Sequence, residues 1–140
     1  AIEAGVAPCV VAALDMALWD LRAKQASLPL YKLLGLSRKV VPTSVTVGIN
    51  PPEVVRERIP LLLDGTGVKA LKIKLGSPEG LDADQEMFSA VLEMTKNRST
   101  IIRVDANGGW SVPDAKKMMQ WLADRGVEYI EQPLKKRSRR

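Results

Sequence analysis

A chain of 140 residues with 46% hydrophobic content is long enough to bury one real core. It has no histidine, which excludes Ser-His-Asp and Cys-His catalysis and His-ligated zinc, so acid–base chemistry must come from Lys, Asp, Glu or Tyr. The formal charge of +5 comes from the last six residues, where Lys135, Lys136, Arg137, Arg139 and Arg140 hold five charges and leave a body of 16 basic and 16 acidic residues.

A terminal basic tag reads as a solvated, disordered tail and not as a folded nucleic-acid face, which would spread its charge over one surface. No apolar run approaches a membrane span, so neither nucleic acid nor membrane is implied as a partner. The single Cys9 cannot pair internally and fits a reducing, cytoplasmic setting, as a buried thiol on an apolar helix. Ala1 stands where Met is expected, and 1–7 reads as the tail of an earlier element whose start is missing.

Pro8 suits a first helical turn, and Cys9 to Ala26 then reads as a helix. Val10, Val11, Leu14, Ala17, Leu18 and Leu21 cover most of its circumference, which predicts burial. Asp20 and Lys24 are spaced for an i,i+4 ion pair. Leu30 to Leu34 adds a short turn stopped by Gly35.

From Val41 onward strand and helix alternate three times and a fourth strand follows. Thr43 to Ile49 alternates as a strand, with Val45, Val47 and Ile49 on one side. Asn50, Pro51, Pro52 and Glu53 open a helix to about Asp64, with Pro60 as a kink. Val68 to Leu75 is the second strand, and Asp82 to Lys96 a helix with Met87, Ala90, Val91 and Met94 on one stripe. Ile101 to Ala106 is the third strand. Ser111 to Asp114 resembles a capping box, and Ala115, Met118, Met119 and Leu122 face inward from the helix it opens. Val127 to Glu131 is the fourth strand. Such a rhythm predicts an α/β fold with a parallel sheet.

Lys72 and Lys74 lie two apart and share one face of the second strand, while Leu71, Ile73 and Leu75 point the other way. The pair alone reads first as a solvated strand edge, where lysines are common. A parallel sheet covered on both faces favours the interior, where two close ammonium groups depress each other's pKa and make a base. Asp105 and Asn107 repeat the spacing, although Asn107-Gly108 is a turn signal in its own right. Glu131 alone is a surface glutamate beside a proline. Taken together, these residues fall at the C-terminal ends of successive parallel strands, the rim where (β/α)-barrels keep their sites, and carboxylates from separate strands suit Mg²⁺.

Lys72-Ile73-Lys74, Asp105-Ala106-Asn107 and Glu131-Gln132-Pro133 resemble, in order and strand position, the muconate-lactonizing subgroup of the enolase superfamily. The stretch Ala13 to Leu21, with Lys24 and Leu33-Leu34-Gly35, resembles the helix leading into that family's barrel. The resemblance runs from Cys9 to Leu134.

It implies a partial (β/α)-barrel of four strands and three helices at 41–134. A buried linker helix from the capping region precedes it at 1–40, and a basic tail follows at 135–140. It implies Lys74 as the base that removes a proton α to a carboxylate, with Lys72 as its helper. Asp105 and Glu131 are implied as Mg²⁺ ligands, Asn107 as a supporting group and Thr46 as a substrate contact.

The implied activity is a racemase or epimerase acting on a small carboxylate, first of all a dipeptide of the L-Ala-D/L-Glu type. Cycloisomerisation, o-succinylbenzoate synthesis and N-acylamino acid racemisation share the same residues. A barrel of this kind needs about 250 residues, so the chain reads as a fragment, poorly active alone, of a parent for which a homo-oligomer is one expected state. A non-catalytic half-barrel is the rival reading.

Overall fold

The computed structural model describes residues 5–39 and 42–135. The basic run from Lys136 onward, and the first residues of the leading segment, lie outside them. The chain divides into two compact units, 1–41 and 42–140.

In the first unit, α1 spans Pro8–Gln25 and α2 spans Leu30–Leu33. Pro8 occupies the first turn of α1, where its missing N–H costs no bond. Lys24 Nζ meets Asp20 Oδ2 at 2.6 Å, the i,i+4 pair expected. Gly35, at φ 68°, ends α2 in the left-handed conformation that glycine adopts without strain.

The expected burial of α1 does not hold. Ala23 is its one buried residue among those described, Leu14 is 60% exposed, and Val10, Leu18 and Leu21 are exposed too. Apolar residues spread round the whole circumference define no single face to cover, and within its unit α1 packs on α2 alone. Cys9 is exposed as well, not buried.

The second unit runs β1 (Ser44–Val47), α3 (Pro52–Leu63), β2 (Ala70–Lys74), α4 (Leu81–Thr95), β3 (Ile101–Asp105), α5 (Val112–Ala123) and β4 (Ile130–Glu131). The strands form one parallel sheet in the order β1-β2-β3-β4. Leu71, Ile73, Leu75 and Val104 are fully buried against Val55 and Ile59 of α3, Phe88 of α4 and Met118 of α5. Helices therefore cover one face of the sheet, and the alternate residues of each strand point to the other.

Several boundaries differ from expectation for local reasons. β1 stops at Val47, and Ile49 is exposed. Asn50 turns its side chain back to the Gly48 carbonyl at 2.8 Å and leaves α3 without a side-chain cap. β4 is two residues long, but Glu128 N–H still bonds the Ile102 carbonyl and Val104 N–H the Tyr129 carbonyl, so pairing begins earlier. Ser111 caps α5 by accepting from Asp114 N–H at 3.3 Å. Met118 is buried but Met119, 100° further round, is exposed.

Candidate active site

Parallel register sets the site. Thr46 pairs with Lys72 and Lys72 with Arg103, and one step along Lys74 pairs with Asp105 and Asp105 with Glu131. Residues paired across a parallel sheet point the same way, so all six side chains stand on the face opposite the helices. Lys74, Asp105 and Glu131 form a row at the C-terminal ends of three consecutive strands.

The row is joined by direct contacts. Lys74 Nζ donates to Asp105 Oδ2 at 2.6 Å, and Lys72 Nζ reaches diagonally to Glu131 Oε2 at 2.6 Å. The Asp105 side chain is only 5% exposed, whereas Glu131 is half exposed. Burial alone would push the Asp105 carboxyl upward; the Lys74 hydrogen bond, the Asn107 N–H and the Lys72 charge together outweigh it and hold Asp105 below the usual carboxylate value.

Lys72 moves the other way from the mutual depression expected of two neighbouring lysines. Its hydrogen bond to Glu131 raises it above the ordinary lysine value, with desolvation opposing. Each amine has a carboxylate partner, Glu131 for Lys72 and Asp105 for Lys74.

Asn107 is exposed and sits at φ 48°, a left-handed turn that asparagine tolerates. Its backbone N–H, not its side chain, bonds Asp105 Oδ1 at 2.9 Å. The turn thus fixes the carboxylate through the main chain. Thr46 is exposed, one register step below the row.

Two groups escaped the sequence reading. Arg103, in register with Lys72, donates to Glu128 Oε2 at 2.5 Å, to Ser44 Oγ at 2.8 Å and to the Pro42 carbonyl at 3.2 Å. Its guanidinium also lies 5.4 Å from the Tyr129 ring centre, so it spans the sheet beneath the row. Its period-two spacing from Asp105 was the signal available. Asp84 is the other: a buried carboxylate whose partners lie in the loops after β2 and β3. Only the folded loops, with Trp110 26 positions away, reveal it.

Two hard oxygen donors side by side on one face fit part of a Mg²⁺ site, because Mg²⁺ takes one or two carboxylates and completes its shell with water and substrate. Among the described residues no group of three or more His, Cys, Asp or Glu gathers to enclose a metal. A hollow of about 740 Å³ on the helical side, lined by Glu53, Arg56, Gln85 and Trp121 among others, holds none of these site residues.

Comparison with known proteins gives the same two units a common kinship. A family model described as enolase C-terminal domain-like matches residues 55–140, and one described as mandelate racemase / muconate lactonizing enzyme, N-terminal domain, matches 4–35. A hydrophobic dipeptide epimerase of Roseobacter litoralis is 70% identical over 131 residues, which is 94% of this chain and 38% of that protein. An L-Ala-D/L-Glu epimerase of Bacteroides thetaiotaomicron is 39% identical over 89% of this chain and 31% of its own length. The crystal structure of a dipeptide epimerase from Methylococcus capsulatus, complexed with Mg and L-Arg-D-Lys, superposes with a TM-score of 0.77 at 35% identity, over 87% of this chain and 33% of that one. The chain spans less than two fifths of the length of these relatives.

Proposed function

The chain belongs to the family of enolase C-terminal domain-like proteins, and from that membership we propose that its site serves a magnesium-dependent epimerase that removes the proton α to a dipeptide carboxylate. The observation that carries the reading is the row with Lys72 one register step below it: two amines and two carboxylates, paired by direct contacts, toward the C-terminal ends of consecutive parallel strands.

An α-proton beside a carboxylate is weakly acidic, and its removal leaves a dianionic enediolate. Lys74, freed of its contact with Asp105 and having given up one proton to solvent, takes the α-proton on Nζ as the neutral amine and becomes the ammonium. Lys72, held in its ammonium form by Glu131, offsets the negative charge of the substrate carboxylate. Asp105 and Glu131 would hold Mg²⁺. The depressed Asp105 carboxyl is ionised throughout the neutral range, as a ligand must be. When bound, Mg²⁺ supplies Lewis-acid stabilisation of the charge that builds as the proton leaves. Asn107 keeps Asp105 oriented, and Thr46 contacts the substrate below the row.

Residues 41–134 are assigned to the N-terminal half of a (β/α)-barrel and 1–40 to the end of a capping region with its linker helix. The division of the chain into units at 41 and 42 supports this. Among dipeptides, one with a hydrophobic residue is favoured over L-Ala-Glu, because the relative named for hydrophobic dipeptides is far more similar than the one named for L-Ala-D/L-Glu.

Return of the proton to the opposite side of the substrate needs an acid across from Lys74. Exchange of the α-proton with solvent is the half-reaction that Lys74 supports alone, and it is the assay. With Mg²⁺ in D₂O, L-Ala-L-Phe should lose its C-terminal α-proton signal faster than L-Ala-L-Glu, and Lys74→Ala should abolish the loss. Exchange that persists in Lys74→Ala refutes the role given to that lysine.

A further inference from the structure

The mechanism leaves Asp84 unused. This carboxylate, at the start of α4, is 1% exposed and forms no ion pair among the described residues. Gly76 N–H donates to both its oxygens at 3.0 and 2.9 Å, Ser77 N–H donates at 3.0 Å, and Trp110 Nε1–H at 2.8 Å. A buried charge is tolerated when such bonds replace its water, and the N-terminal end of a helix adds favourable partial charge. Helix initiation alone accounts for Gly76 and Ser77, which lie in the loop entering α4, but does not require Trp110 from the loop after β3.

Those donors belong to the rim. Gly76 follows Lys74 by two residues, and Trp110 follows Asp105 by five. Trp110 is in turn bridged to Leu134, and its N–H bonds the Pro133 carbonyl, two residues beyond Glu131. Gly108 N–H adds a bond to the Gln132 carbonyl at 2.7 Å. Asp84 thus ties together the segments that follow all three strands of the row.

The tie is also sterically tight. A Cβ on Gly76 would lie 2.2 Å from the Ala106 carbonyl oxygen, and one on Gly109 would lie 2.5 Å from Gly76 Cα. With backbones in contact, a shift of one loop must move the next, because close-packed atoms leave no slack.

We propose that Asp84, acting through Gly76, Ser77 and Trp110, is a positioning residue that sets the spacing of Lys74, Asp105 and Glu131. The proposal rests on the epimerase reading for its catalytic consequence, but its structural consequence can be measured without it. A misplacement of about 1 Å at reacting groups is enough to cost roughly 10²-fold in rate.

Trp110→Phe keeps the ring and removes only the Nε1–H donor. Asp84→Asn keeps one acceptor oxygen and turns an amide donor toward N–H groups. In both variants, Gly108 N–H should exchange with deuterium at least about tenfold faster, while Val91 N–H in the core of α4 stays at the wild-type rate. Mg²⁺ affinity by calorimetry should weaken at least about threefold. The kcat for α-proton exchange, expressed per folded molecule as measured by circular dichroism, should fall about ten- to a hundredfold with KM within about threefold.

Wild-type exchange at Gly108 in Trp110→Phe overturns the proposal, as does wild-type Mg²⁺ affinity in a variant whose Gly108 is loosened. A drop in kcat matched by an equal drop in folded fraction overturns it too. Should the wild-type protein exchange no dipeptide α-proton, the epimerase reading fails, and the amide-exchange and Mg²⁺ measurements still decide the role of Asp84.

Discussion

Gly76→Ala probes the closest approach in the rim. Gly76 has φ +86°, so alanine there carries a strain of about 1–2 kcal/mol even in open space. Its Cβ would also stand 2.2 Å from the Ala106 carbonyl oxygen, which itself accepts the Gly109 N–H at 2.8 Å. Ordinary contact requires a separation larger by roughly 1 Å, and forcing such a shift in packed backbone costs about 1–3 kcal/mol. The sum is about 3 kcal/mol, or roughly 150-fold in the folding equilibrium.

Urea unfolding reads this directly. With a slope of about 1–3 kcal/mol per molar, the midpoint should fall by about 1–3 M. Gly126→Ala is the control: φ is +76°, but nothing lies within 4 Å of the added carbon, so only the conformational cost of about 1 kcal/mol applies. Equal midpoints for the two variants would refute the close contact between the loops after β2 and β3.

The Asp105 carboxyl is depressed in the folded chain relative to about 3.9 unfolded, so its stabilising contribution is present above that value and is lost as pH falls through the folded value. The stability difference between wild type and Asp105→Asn should therefore be constant above about pH 5 and shrink below pH 4; a difference unchanged at pH 2.5 contradicts the Lys74–Asp105 pairing. Mg²⁺ at a hundred times its dissociation constant should raise wild-type stability by about 2.7 kcal/mol. EDTA should reverse the gain and Asp105→Asn should abolish it, whereas an equal gain in that variant would remove Asp105 from the ligand set.

The face shared by Lys72, Lys74, Asp105 and Glu131 was legible because a strand has a period of two. Once Leu71, Ile73 and Leu75 are committed to the helices, the alternate residues have no choice of side. α1 was legible as a helix and not as an exposed one, because periodicity reports which residues are apolar and not whether anything meets them. Met119 failed similarly: adjacent to Met118 in sequence, it turns away by one helical step.

Sequence by itself determined the order of strands and helices, the parity of every strand side chain and the residue types at the rim, since these follow from local periodicity and turn chemistry. Tertiary structure decided which amine meets which carboxylate. The diagonal from Lys72 to Glu131 and the clasp from Asp84 to Trp110 join residues 59 and 26 positions apart. Contacts at such separations depend on inter-strand register and loop closure, which no local pattern encodes.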